Sequence, residues 1–259
     1  MAFERRTDMN PDIRDETRIA RNLNLMGNCD HEGGRFRKVS IMGQVRFRKD
    51  LRCLSFSCMG KAWMEGAFRS AKTSVMGELA MEGPAEGGRL SVMGKVIAEQ
   101  SLSALRLDAM GELTVRGKLE AEEVKLLGRL NVEGDCNVDR FTSYGDFDIS
   151  GLLSVDDLRV TPGNRCHAEE IGGARIEVRR HFWRHGMWEF FRFLSGFFHE
   201  RRLEARTIEG DEVILEDVTA DLVRGTRVRI GRGCRIRRVE YGELCHIHPK
   251  AEVGESVQS

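Results

Sequence analysis

Residues 76–83 read Met76-Gly77-Glu78-Leu79-Ala80-Met81-Glu82-Gly83, and the same outline returns 17 positions away on either side. Met59-Gly60-Lys61-Ala62-Trp63-Met64-Glu65-Gly66 precedes it, and Met93-Gly94-Lys95-Val96-Ile97-Ala98-Glu99-Gln100 follows. Within each copy the apolar residues stand two apart, as on a strand with one buried face.

The repeat widens from there. Glycine recurs at Gly43, Gly60, Gly77, Gly94, Gly111, Gly128 and Gly145, always 17 residues apart. Methionine precedes the first five, and Leu127 and Tyr144 take its place afterwards. A second, less regular series runs Gly66, Gly83, Gly117, Gly134 and Gly151, with Gln100 in the missing slot. Three apolar pairs recur between the glycines, for example Val39/Ile41, Val45/Phe47 and Leu51/Cys53. Three short strands in 17 residues do not suit a hairpin sandwich, whose turns come every 8–12 residues. They suit a three-sided solenoid, in which each strand pairs with its equivalent one coil later, at roughly 4.8 Å. The fold class expected is therefore all-β, a parallel β-helix with about 17 residues per coil. Glycine would serve the corners, where a side chain clashes or φ is positive. Seven such coils make a rod core on the order of 30–35 Å long.

Later the period shortens. Thr207-Ile-Glu-Gly-Asp-Glu-Val-Ile-Leu215 matches Leu222-Val-Arg-Gly-Thr-Arg-Val-Arg-Ile230 at a spacing of 15, so shorter coils are expected toward that end. This divides the chain into a mobile tail at 1–22, a β-helix body at 23–178, an aromatic insertion at 179–202, further coils at 203–250 and a mobile tail at 251–259.

The 259 residues carry 41 basic and 41 acidic side chains. Zero net charge argues against a partner held by whole-protein charge, so nucleic acid is not expected. Seven cysteines in so long a chain do not read as a disulfide framework. No secretory leader opens the sequence and no run of about 18 apolar residues occurs, which makes a reducing cytoplasm the expected compartment.

A 17-residue β-helix with coils such as Gly77-Glu-Leu-Ala-Met-Glu-Gly83 resembles the bactofilins, bacterial polymer-forming cytoskeletal proteins. The resemblance spans roughly residues 33–250. Glu170-Ile-Gly-Gly-Ala-Arg-Ile-Glu-Val178, Ile208-Glu-Gly-Asp211, Val223-Arg-Gly225, Ile230-Gly-Arg-Gly-Cys234 and Arg238-Val-Glu-Tyr241 point to a longer subgroup. It implies a right-handed β-helix that polymerises end to end without bound nucleotide. The filaments would act as a scaffold in cell shape, envelope remodelling or motility, often at the inner face of the membrane. The expected partners are the protein itself and envelope or motility proteins. Physics agrees: the open end of a β-helix presents unpaired strand edges and an apolar cross-section.

Residues 182–198 hold eight of the chain's 18 aromatic residues. Trp183, Met187, Phe190, Phe191, Leu194, Phe197 and Phe198 fall on one face of a helix, and Trp188 lies beside them. The spacing predicts an amphipathic helical insertion with three candidate contacts: the rod, a partner protein, or a membrane surface with Arg179, Arg180, Arg201 and Arg202 near lipid phosphates.

A basic stripe, Arg224, Arg227, Arg229, Arg235 and Arg237, reads as a solvated strand face opposite acids such as Asp211, Glu212 and Glu216. Cys245-His246-Ile247-His248 and Cys29-Asp30-His31 lack the paired ligand spacing of a zinc site. No cofactor, metal or catalytic set is expected. The alternative considered is a hexapeptide-repeat acyltransferase with a left-handed helix, since Ile230-Gly-Arg-Gly-Cys-Arg-Ile236 resembles one hexapeptide. Such repeats run at 18 per coil, against 17 here.

Overall fold

The computed structural model describes residues 21–180 and 202–258, and their regular structure is all β. The strands pair in parallel, each with its equivalent in the next coil, in a solenoid of about 13 turns. In the seven steps from Lys38 to Asp157 the register advances by 17, as in Lys38 opposite Ser55 and Arg140 opposite Asp157. At the strand separation of about 4.8 Å such a rod is roughly 60 Å long.

Each coil has three flat sides. Gln44–Phe47 buries Val45 and Phe47. Leu51–Cys58 buries Leu51 and Cys53, turns through Leu54 and Ser55, then buries Phe56 and Cys58. The three short strands expected per coil are thus one strand of four residues and one of eight that bends at its middle. At two further corners, such as residues 42–44 and 48–50, three residues separate the inward pairs, and the strand breaks at 42–43 and at 48–50. Inward pairs from successive coils stack into one continuous apolar core. Burying these columns is the main favourable term in such a solenoid.

The glycine series has one physical reason. At Gly43, Gly60, Gly77, Gly94, Gly111, Gly128 and Gly145 an added Cβ would lie 1.9–2.1 Å from the carbonyl oxygen of the glycine one coil earlier. None of these seven has a positive φ. Room between coils is what the corner demands, and backbone conformation is not. The second series is looser, with nearest atoms at 2.5–2.9 Å from Gly66 to Gly134 apart from a side-chain oxygen at Gly151, which agrees with Gln100 occupying one of its slots.

Toward the C-terminal end the coils shorten as expected. Leu203–Leu215 and Val218–Ile230 pair with Leu203 opposite Val218 and Leu215 opposite Ile230, a step of 15. All three corners now hold two residues, at 206–207, 211–212 and 216–217, and the strand runs on through two of them.

One expectation needs correction. The segment expected as a mobile tail at 251–259 is built into the rod over its described residues: Glu252–Gln258 forms a strand on residues 235–241, and Ala251 and Val253 pack against the core. The register there returns from 15 to 17, which hid this coil from a period search. At the other end the first described strand is Asn22–Leu25, paired on residues 38–41. The helix expected over residues 182–198, with Trp183 through Phe198, lies outside the described residues. Among those described there is no helix, and none therefore long and apolar enough to cross a membrane.

Candidate interaction surfaces

A rod of this kind offers two ends, three sides and three corners. At one end Leu23, Leu25, Cys29 and Phe36 are only partly buried, and at the other Tyr241, Cys245, Ile247, Ala251 and Val253. Residues 22–25 pair with 38–41 on one edge, and residues 244–247 with 227–230 on one edge. Among the described residues the opposite edges of both have no strand partner. Following the ladder coil by coil, these two segments belong to the same side of the rod, so one could continue the other.

The corner ahead of each tight glycine carries an exposed apolar row: Met26, Met42, Met59, Met76, Met93, Met110, Leu127 and Tyr144, between 45% and 75% exposed. The sequence showed the methionines as part of the repeat, but their exposure follows from the corner, where the side chain must point away from both sides it joins. Next to the row runs a column of charges, Lys61, Glu78, Lys95, Glu112, Arg129 and Asp146. Its members pair along the rod, Lys61 with Glu78 at 2.8 Å, Lys95 with Glu112 at 3.8 Å and Arg129 with Asp146 at 4.0 Å.

The insertion leaves the rod at this same corner. Val178 pairs with Val160 and with Leu215, the positions that precede the corner in neighbouring coils. Its base is clamped. Arg180 donates through Nε and Nη2 to both Asp217 carboxylate oxygens, at 2.5 and 2.8 Å, and its backbone N–H donates to Glu216. Asp217 holds a φ of 54°, rare for a residue with a side chain, and a Cβ on Gly233 would run into its carboxylate. Arg179 is paired with Glu177. Two of the four arginines assigned to lipid phosphates, Arg179 and Arg180, are thus already engaged with carboxylates of the rod.

Most of the basic stripe is neutralised as well. Arg224 pairs with Glu240 at 2.8 Å and Glu209 at 3.3 Å, Arg235 with Glu252 at 3.5 Å and Arg237 with Asp221 at 3.7 Å. These partners, one coil away on the ladder, are not among the acids named from sequence. Arg227 stands in register with Glu212, and Arg229 with Ile214 and His246. Exposed pairs of this kind contribute little stability each, and along a ladder they mainly prevent like charges from stacking.

Two shallow grooves complete the surface. One, of about 450 Å³, lies beside Leu127, Gly128, Tyr144 and Gly145. The other, of about 560 Å³, runs past Leu152, Gly172, Gly210, Gly225 and Gly242. Gly173, Gly210 and Gly225 line it, one above another on the ladder, at the position that Val155 holds one coil earlier. Among the described residues no group of three or more His, Cys, Asp or Glu is arranged to hold a metal ion. Cys53, Cys58, Cys136, Cys166 and Cys234 are buried thiols, while Cys29 and Cys245 are half-buried. Burial pushes the Cys136 thiol up to about 12 and those of Cys58, Cys166 and Cys234 to about 11, away from nucleophilic use.

Comparison with known proteins adds one relative. The chain is 36% identical over 94 residues to the uncharacterized protein YhbF of Bacillus subtilis (strain 168). The match covers 36% of this chain and about a third of that protein. No family model and no solved structure matches.

Proposed function

We propose that this protein is a structural scaffold of the bactofilin kind: a right-handed β-helix rod that stacks end to end into filaments without a nucleotide. The observation that carries the reading is the state of the two rod ends. Each presents half-buried apolar residues and a strand edge with no partner among the described residues, and the outermost strands belong to the same side. A second copy would extend both the hydrogen-bond ladder and the apolar columns by strand addition. End pairs of parallel type also fit a solenoid whose every coil already stacks in that way.

Negative-stain microscopy of the purified chain without nucleotide tests the proposal. Filaments, or strings of rods, are expected. Lysine at Leu25 and at Ile247 should reduce them to single rods with an unchanged melting transition. A monodisperse monomer for the unaltered protein across salt conditions overturns the reading. A left-handed coil with acyl-donor binding between subunits would instead favour the acyltransferase alternative.

Placement at the cytoplasmic face of a membrane is the second part of the proposal. It rests on the aromatic composition of residues 182–198 and on their departure from the corner that bears the methionine row. Phe190→Asp with Phe191→Asp should release the protein from liposomes and leave filaments intact. Loss of the rod itself would assign those residues to packing.

A further inference from the structure

The methionine corner has a partner written into its own charges. From the rod's geometry we infer that two copies pair side by side and antiparallel through this corner, about a two-fold axis between the coils of Lys95 and Glu112. The inference goes beyond end-to-end stacking and does not require it.

Three observations converge. The exposed row Met59, Met76, Met93, Met110, Leu127, Tyr144 repeats once per coil, a pitch of about 4.8 Å that a second copy matches rung for rung. The flanking column Lys61, Glu78, Lys95, Glu112, Arg129, Asp146 alternates strictly in sign. A two-fold axis perpendicular to the rods sets this column against itself in reverse order. Lys95 then faces the partner's Glu112, Glu78 the partner's Arg129, and Lys61 the partner's Asp146.

All six contacts of each copy are between opposite charges. A slip of one coil sets five of the six charges against their like, so the column fixes the register as well as the direction. Parallel packing would instead place the column against the other flank of the corner, which reads Ser57, Ser74, Ser91, Asp108, Lys125 and Thr142. In the antiparallel register Met93 meets Met110, Met76 meets Leu127, and Met59 meets the Tyr144 ring, a favourable sulfur–aromatic contact. Because the charge column sums to zero, it offers no attraction to an anionic lipid surface or to nucleic acid.

Two experiments test this. Met59→Cys and Tyr144→Cys, prepared separately and mixed with a short bismaleimide, should give a crosslinked dimer well above the background of the unaltered protein. Neither variant alone should, because the like positions lie five coils, roughly 24 Å, apart in this register. Self-crosslinking of Met59→Cys would mean parallel pairing. No crosslink in the mixture would mean that another occupant, such as residues 182–198 or a membrane, covers the row. Either result overturns the inference. The second experiment is a charge exchange. Glu78→Lys or Arg129→Glu alone should weaken dimerisation by about tenfold, and the two together should restore it. Within one chain these residues are three coils, about 14 Å, apart, so direct contact inside a rod cannot produce the rescue. Failure of rescue, with each variant melting normally, sinks the pairing. Filaments that never crosslink count against lateral pairing only, and crosslinked dimers without filaments count against end stacking only.

Discussion

The coils of residues 38–160 and those of residues 203–230 solve one packing problem with different corners. In the first region two of the three corners hold three residues, and the coil closes in 17; in the second all corners hold two, and it closes in 15. The shorter perimeter encloses a narrower interior. Inward positions in the first region accept Phe47, Phe56, Phe141 and Phe147, whereas those in the second are filled by Leu203, Ala205, Ile208, Gly210, Val213 and Leu215 and their counterparts one coil on. Corner length therefore sets core volume. It also sets surface chemistry, because the three-residue corner at 42–44 and its equivalents lifts a methionine clear of the rod.

On that account lost volume is costly in the first region and added volume is costly in the second. Phe141 is fully buried and meets Phe147 edge to face with ring centres 5.6 Å apart. Phe141→Ala should lower stability by about 3–5 kcal/mol in urea denaturation. Ala220→Phe, which adds volume where the perimeter is short, should also destabilise, by about 3 kcal/mol or more. Tolerance of Ala220→Phe would break the comparison.

Glycine substitutions sharpen it. A Cβ at Gly94 would sit 2.0 Å from the carbonyl oxygen of Gly77, and backbone cannot yield cheaply. Gly94→Ala is expected to cost about 3 kcal/mol. At Gly172 the nearest atom is a Leu152 methyl at 3.8 Å, so Gly172→Ala should stay within about 0.5 kcal/mol of the unaltered protein. Equal losses would refute the contact explanation.

The clamp where the regions meet predicts a smaller effect. Asp217→Ala removes both acceptors of Arg180, which is itself largely exposed, and about 1–2 kcal/mol should be lost. Asp217→Gly should lose less, since glycine accepts the positive φ.

The smallest effect is one of pH. Burial raises the Cys136 pKa from 9.0 to about 12, which favours the protonated thiol in the folded rod. Its contribution is therefore complete below pH 9 and declines as pH rises toward 12. Between pH 8 and 10 this thiol alone should cost about 1 kcal/mol, so the loss read from urea midpoints should be smaller by about that amount in Cys136→Ala, the other raised thiols supplying the rest. Three of the five raised thiols, Cys58, Cys136 and Cys166, precede the insertion, so alkali should loosen that region first.

By itself the sequence determined the solenoid, its two coil lengths and nearly every inward residue. It could do so because each coil stacks only on its neighbours, and a repeated local requirement appears as a repeated residue. The Val39/Ile41, Val45/Phe47 and Leu51/Cys53 pairs are buried as their alternation predicts. What depends on contact between coils was decided only by the tertiary structure. The seven glycines serve close approach and not positive φ, because the clashing atom belongs to the preceding coil. The acids that neutralise Arg224, Arg235 and Arg237 come from adjacent rungs, 15 to 17 residues away, and residues 252–258 are held by a ladder whose period had changed. The exposure of the methionine row belongs here too: the repeat places one methionine per coil, and only the direction of the corner turns it outward.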